Sequence, residues 1–110
     1  MKLWVDDIRV APEGWLWAKT SEQALSVLRA TYSALVSGPN SSVLDDADFE
    51  AIAFDHDLGG NDDSRRVLTW IIEYNFWPAE IFFLTSNPPG RKWLVGSAQS
   101  YAPDFVRIHA

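Results

Sequence analysis

The run Ile81-Phe-Phe-Leu84, opened by Glu80, restricts the fold more than any other stretch of the chain. It is apolar at every position rather than every second one, so neither face of such a strand tolerates water. Strands of that kind belong in the interior of a parallel sheet. Parallel neighbours cannot be joined by a tight turn, because each crossover takes about a dozen residues, usually a helix. A chain built around this run must therefore alternate strands with helices.

The remaining sequence supplies that alternation. "KLWV" (2–5), "GWLWA" (14–18), "AIAF" (51–54) and "DFVRI" (104–108) read as further short strands. Thr20 to Val36 puts Leu25, Leu28, Tyr32, Leu35 and Val36 on one helical face. Thr20 and Gln23 form a capping box at its start, and Gly38-Pro39 stops it. Residues 37–50 read as the longest loop. A second helix, capped by Asp62 or Asp63, turns Val67, Leu68, Ile71 and Ile72 inward and ends before Pro78. A third opens at "PPGRKWL" with Ser86 or Asn87 as cap. The order predicts an open three-layer α/β domain with a mostly parallel five-stranded sheet. A chain of 110 residues is expected to form one domain, spanning 1–110.

Composition excludes several classes. With no cysteine, neither disulfides nor thiolate metal sites arise. Met1-Lys2 runs straight into the first strand without a signal-peptide pattern, and no apolar run approaches the ~18 residues of a membrane span. A cytoplasmic protein with no membrane attachment is expected. The net charge of −6 argues against double-stranded DNA as a partner. Charge is unevenly placed: residues 1–64 hold 4 basic and 12 acidic side chains, residues 65–110 hold 5 basic and 3 acidic.

The acidic excess gathers where open parallel sheets bind ligands, at the carboxyl ends of strands. Asp6-Asp7 follows the first strand, Asp55-His56-Asp57 the third, and Thr85-Ser86-Asn87 the fourth. Carboxylates brought that close repel one another unless a cation sits among them. Hard oxygen donors suit Mg²⁺, which takes one or two carboxylates and keeps several waters. Asp6, Asp7 and Asp55 are the candidate metal ligands, with Mg²⁺ or Mn²⁺ as the ion.

"LWVDD", "AKTSEQALSVL", "AFDHDLGG" and "FFLTS" together resemble the CheY-like receiver domain of response regulators, whose phosphate-accepting aspartate matches Asp55. Residues 7–14 are too short for that fold's first helix, and "FVRIHA" lacks its late lysine and final helix. "LWVDDIR-APEGW", "FDHDLGG" and "SNPPG" are similar to a compact offshoot, the cyclic-phosphate processing receiver domain; its members often carry histidine where this chain has Thr85. The resemblance implies a flavodoxin-like domain without the first and last receiver helices. It also implies phosphodiesterase-type hydrolysis of a cyclic phosphate on a nucleotide or an RNA terminus, in bacteria or their phages.

On that reading Asp55, His56 and Asp57 are the catalytic candidates, with His56 as acid or base because imidazole is the side chain whose unperturbed pKa suits proton transfer at neutral pH. Thr85, Ser86, Asn87, Arg9, Arg91 and Lys92 are the candidates for gripping phosphate. Blander readings stand beside these. His56 would be a turn residue, Ser86 and Asn87 plain helix caps, and Arg65-Arg66 partners of Asp62 or Asp63. The tryptophans would be mostly core, with at most one stacking a base. Two other functions remain open: a phosphoacceptor using Asp55, and a non-enzymatic module that binds a nucleotide or protein.

Overall fold

The computed structural model describes residues 1–37 and 48–110. Along the chain lie β1 (Lys2–Val5), β2 (Leu16–Ala18), α1 (Ser21–Ser37), β3 (Ala51–Phe54), α2 (Arg65–Tyr74), β4 (Glu80–Phe83), α3 (Pro88–Tyr101) and β5 (Arg107–His109). The strands form one sheet in the order β2-β1-β3-β4-β5, and every pair is parallel. This is the receiver-like α/β fold expected from the sequence, without the first and last helices. The expected helix stop at Gly38-Pro39 and most of the expected long loop lie outside the described residues.

Layering follows from the direction of the crossovers. The steps β2 to β3, β3 to β4 and β4 to β5 all run the same way across the sheet, and parallel crossovers are right-handed as a rule. All three helices therefore fall on one face, where Leu3, Val5, Ile52, Phe54, Ile81, Leu68, Ile71 and Leu94 bury completely. The step from β1 to β2 runs the opposite way, so residues 6–15 cross the other face. This loop stands where a receiver has its second helical layer.

That second face carries a row of side chains in register: Trp17, Trp4, Ala53, Phe82 and His109. Ala53 leaves a gap in the row. Trp15 bridges it, packing edge-on to Trp4 at 5.5 Å and to Phe82 at 6.2 Å. Two indoles fasten the loop to the sheet, Trp4 Nε1 donating to the Arg9 carbonyl at 2.9 Å and Trp17 Nε1 to the Asp6 carbonyl at 2.7 Å.

Helix α1 starts as expected, with Thr20 Oγ1 accepting from Gln23 N at 3.1 Å, while Gln23 Oε1 accepts from Lys19 N at 2.8 Å. Its inward face is Ser21, Ala24, Leu25 and Leu28, with Tyr32 and Leu35 packed at its edge. Val36, expected inward, is exposed, because the stripe drifts off the core in the last turn. Likewise Ile72 is only half-buried, and Trp70 takes the inward place beside Val67, Leu68 and Ile71.

Helix α2 corrects an expectation. Its N-cap is Ser64, whose hydroxyl is turned to the Asp55 carbonyl and makes no capping bond. Asp63 Oδ1 accepts from Arg65 N at 2.9 Å just outside the helix. Asp62 serves α1 instead, accepting from Ser21 N at 2.8 Å and Ser21 Oγ at 2.5 Å. The amide of Ser21 has no partner within α1 and attracts this carboxylate from 41 residues away. At the other end of α2, Asn75 adopts a left-handed conformation and ends the helix ahead of Pro78.

Candidate metal and phosphate site

β1, β3 and β4 are adjacent, so the residues that follow them meet on one rim. Asp6, Asp7 and Asp55 each place one carboxylate oxygen within 4.8 Å of the others. Asp7 and Asp55 line a cleft of about 420 Å³ whose walls also include Arg9, Asp57, Gly59 and Ser86, and Asp6 is buried beside it.

The three carboxylates differ in what already holds them. Asp6 is fully buried and nearly spent, since Oδ1 accepts from the amides of Ile8 and Arg9, both at 2.9 Å. Its Oδ2 accepts from Arg9 Nη1 at 3.0 Å. This side-chain bond from Asp6 raises the Arg9 pKa further above the usual guanidinium value. Asp55 lies 3.6 Å from the same guanidinium nitrogen and takes a hydrogen bond from the Thr85 side chain. Even so, burial and the neighbouring Asp6 charge push the Asp55 pKa above the ordinary carboxylate value. Asp7 is the least satisfied: its Oδ1 is buried with no hydrogen-bond partner. Its other oxygen lies 3.4 Å from where a side chain at Gly59 would begin, and Gly59 holds φ +89°.

An orphaned carboxylate oxygen facing a carboxyl of raised pKa is what a divalent cation would relieve. The donors are all oxygen, and the carboxylates are few enough to leave places for water and phosphate, which fits Mg²⁺ or Mn²⁺. The structure favours Asp7 and Asp55 as the freer donors. Asp6 shapes the turn and fixes Arg9.

The remaining candidates fall in different places. Thr85 Oγ1 accepts from Asn87 N at 3.0 Å while its hydroxyl serves Asp55. Ser86 is exposed on the cleft wall. Asn87 caps α3 by accepting from Gly90 N at 3.1 Å, and its amide donates to Asp57 Oδ2 at 2.9 Å. Arg91 is turned away, donating to the Phe83 carbonyl at 3.2 Å, and Lys92 is exposed without lining the cleft.

His56 lies behind Asp57. It is buried, and both ring nitrogens are engaged: Nδ1 with Asp57 Oδ1 at 3.1 Å, Nε2 accepting from Arg65 Nε at 3.3 Å. Acceptance at Nε2 leaves Nδ1 as the protonated nitrogen, donating to Asp57. The bond from Asn87, then that from His56, lowers the Asp57 pKa. His56 thus reaches the cleft through Asp57 alone.

Gly90 makes this arrangement possible, because a Cβ there would collide with the His56 ring. Neither Gly90 nor Arg65 stood out as a partner of His56 in the sequence. The available signal was a glycine in the first turn of a helix, where it costs helical stability unless something packs close.

A family model for the cyclic-phosphate processing receiver domain matches residues 1–100. The chain belongs to this family. As a cyclic-phosphate processing receiver domain, it carries its acids at the ends of β1 and β3 and its hydroxyls at the end of β4, all on one rim. No curated protein and no solved structure matches the chain.

Proposed function

We propose that the protein is a metal-assisted phosphodiesterase that opens a cyclic phosphate on a nucleotide or RNA end. The observation that carries this is the orphaned Asp7 Oδ1 beside Asp6 and Asp55 in an open cleft. A divalent ion held there would neutralise a phosphoryl oxygen and lower the pKa of a bound water.

The chain's own groups do the rest. Asp57 faces the cleft as a carboxylate kept ionised by Asn87 and His56, and there it orients water and takes up its proton as the water oxygen bonds to phosphorus. One ring P–O bond breaks in the same displacement, and its oxygen stays on the sugar as a hydroxyl, protonated from solvent. His56 fixes the direction of Asp57. Arg9, half exposed on the cleft wall with donors beyond those spent on Asp6 and Asp55, meets the phosphate charge. Ser86 offers a hydroxyl to the same group. Phosphoryl chemistry depends mostly on positioning and charge neutralisation, so a small set of side chains suffices.

The test incubates a panel of cyclic phosphates with Mg²⁺ or Mn²⁺ and compares the native chain with Asp55→Asn and His56→Ala. Hydrolysis by the native chain that disappears in Asp55→Asn is expected. Hydrolysis that survives Asp55→Asn overturns the assignment. A second reading, phosphoryl acceptance by Asp55, draws on its Thr85 hydrogen bond. Stable labelling of Asp55 by acetyl phosphate without turnover of any cyclic phosphate would favour it.

A further inference from the structure

A second cavity adjoins the acidic cleft on the helix side of Asp57. It measures about 270 Å³ and is walled by His56, Arg65, Asn87, Pro89, Gly90 and Trp93. The two spaces share a ridge, since Asp57 lines the cleft, Asn87 lines the cavity, and the pair are joined by the 2.9 Å bond from Asn87 Nδ2.

We propose that this cavity receives the nucleobase of a nucleoside cyclic phosphate whose phosphate lies in the acidic cleft. The proposal rests on the hydrolase reading and adds to it the place where the base is held, which a base-free cyclic phosphate would leave empty. Three observations support it. First, the Arg65 guanidinium carbon stands 5.6 Å from the Trp93 ring centroid, so a cation and an indole form one wall. Flat π-systems stack against both kinds of group.

Second, Arg65 is fixed in this pose. Its Nε bonds His56 Nε2 at 3.3 Å and lies 3.7 Å from Asp63 Oδ2. A cation at the start of a helix opposes the dipole, and the Asp63 carboxylate beside Arg65 offsets that cost. Third, the volume falls below the ~300–1,000 Å³ of pockets that engulf a drug-sized ligand. It suits one ring system, with sugar and phosphate left outside toward the cleft. Asn87, the amide-bearing side chain of the wall, is committed at both ends to Gly90 and Asp57, so stacking outweighs edge recognition and different bases are accepted.

The experiment measures binding of adenosine 2′,3′-cyclic phosphate and of base-free glycerol 1,2-cyclic phosphate by calorimetry in EDTA, and hydrolysis of both with Mg²⁺. The native chain is expected to bind the nucleoside probe about tenfold more tightly than the glycerol probe, as loss of one stacked base commonly costs that much or more. Trp93→Leu and Arg65→Gln should each bring this ratio toward one. Arg65 is half exposed, so its variant remains informative if Trp93→Leu fails to fold. Equal affinities in the native chain, or a ratio unmoved in both variants, would overturn the base pocket. Base-dependent binding without hydrolysis of either probe leaves the pocket standing and sinks the hydrolase reading. Hydrolysis of both probes with no preference does the reverse.

Discussion

Asp55 is a carboxyl whose surroundings disfavour its charge. Its folded pKa lies above the ordinary value because burial and Asp6 outweigh Arg9 and Thr85. The folded state therefore holds this proton more tightly than the unfolded chain does. The group favours folding at pH below the ordinary carboxylate range, and that contribution is gone once pH has risen past the folded pKa. Asp55→Asn keeps a neutral group at every pH. In EDTA the variant should melt higher than the native chain at pH 7 and no higher below about pH 3, where the native carboxyl is protonated as well. Calorimetric Tm against pH checks this. Mg²⁺ should raise the native Tm at pH 7 and leave Asp55→Asn unmoved; a native Tm indifferent to Mg²⁺ and Mn²⁺ would remove the cation from the site.

The contact of Gly90 with His56 also belongs to this scale. Gly90→Ala drives a methyl into a buried ring held on both sides, so either α3 or His56 must shift, at about 1–3 kcal/mol. His56→Ala removes the obstacle. The double variant should be more stable than the two single losses predict, with a coupling of about 1 kcal/mol or more in a urea denaturation cycle. Additive losses would mean that the two residues do not meet.

Among the elements, α1 shows how a local reading goes astray. The spacing around residues 62–66 suits a helix cap, and α2 does begin there. Yet Ser64 is drawn off by the Asp55 carbonyl, and Asp62 points to Ser21 across the molecule. No local pattern reveals a cap supplied from 41 residues away. Asp62→Ala should therefore weaken α1 rather than α2, by about 1 kcal/mol. Amide exchange measures this directly, with faster exchange expected in the first turn of α1 and little change in α2. The strands were easier to read. Ile81 and Ile52 sit in continuous apolar runs, and such runs leave no choice of face. Because those strands are parallel, the acids that follow β1 and β3 fall on one rim. The orientation of His56 was not legible, since it depends on Arg65 and Gly90 from two other elements.

For the whole molecule, the sequence indicates the number of strands and their succession along the chain but does not show how thin the protein is. A short link between β1 and β2 marks a missing helix, but which face that exposes depends on the direction of each crossover. The result is a sheet with one face under three helices and the other under a single loop crowned by Trp15. Trp15→Ala uncovers Ala53 and separates Trp4 from Phe82. Trp15 is half-buried, so the cost should be about 2 kcal/mol, below the ~3–5 kcal/mol of a fully buried aromatic. Chemical denaturation reads the loss, which should equal at least that of Asp62→Ala.

The bonds from Trp4 and Trp17 to the backbone of residues 6–9 give the chain a built-in optical gauge. Each indole N–H ends on a carbonyl of the turn that presents Asp6, Asp7 and Arg9. Any cation that draws those carboxylates together tugs on the same peptide units and alters the surroundings of two chromophores. Ultraviolet emission from the unlabelled protein should thus follow ion uptake continuously, and replacing Trp17 with Phe should blunt that signal.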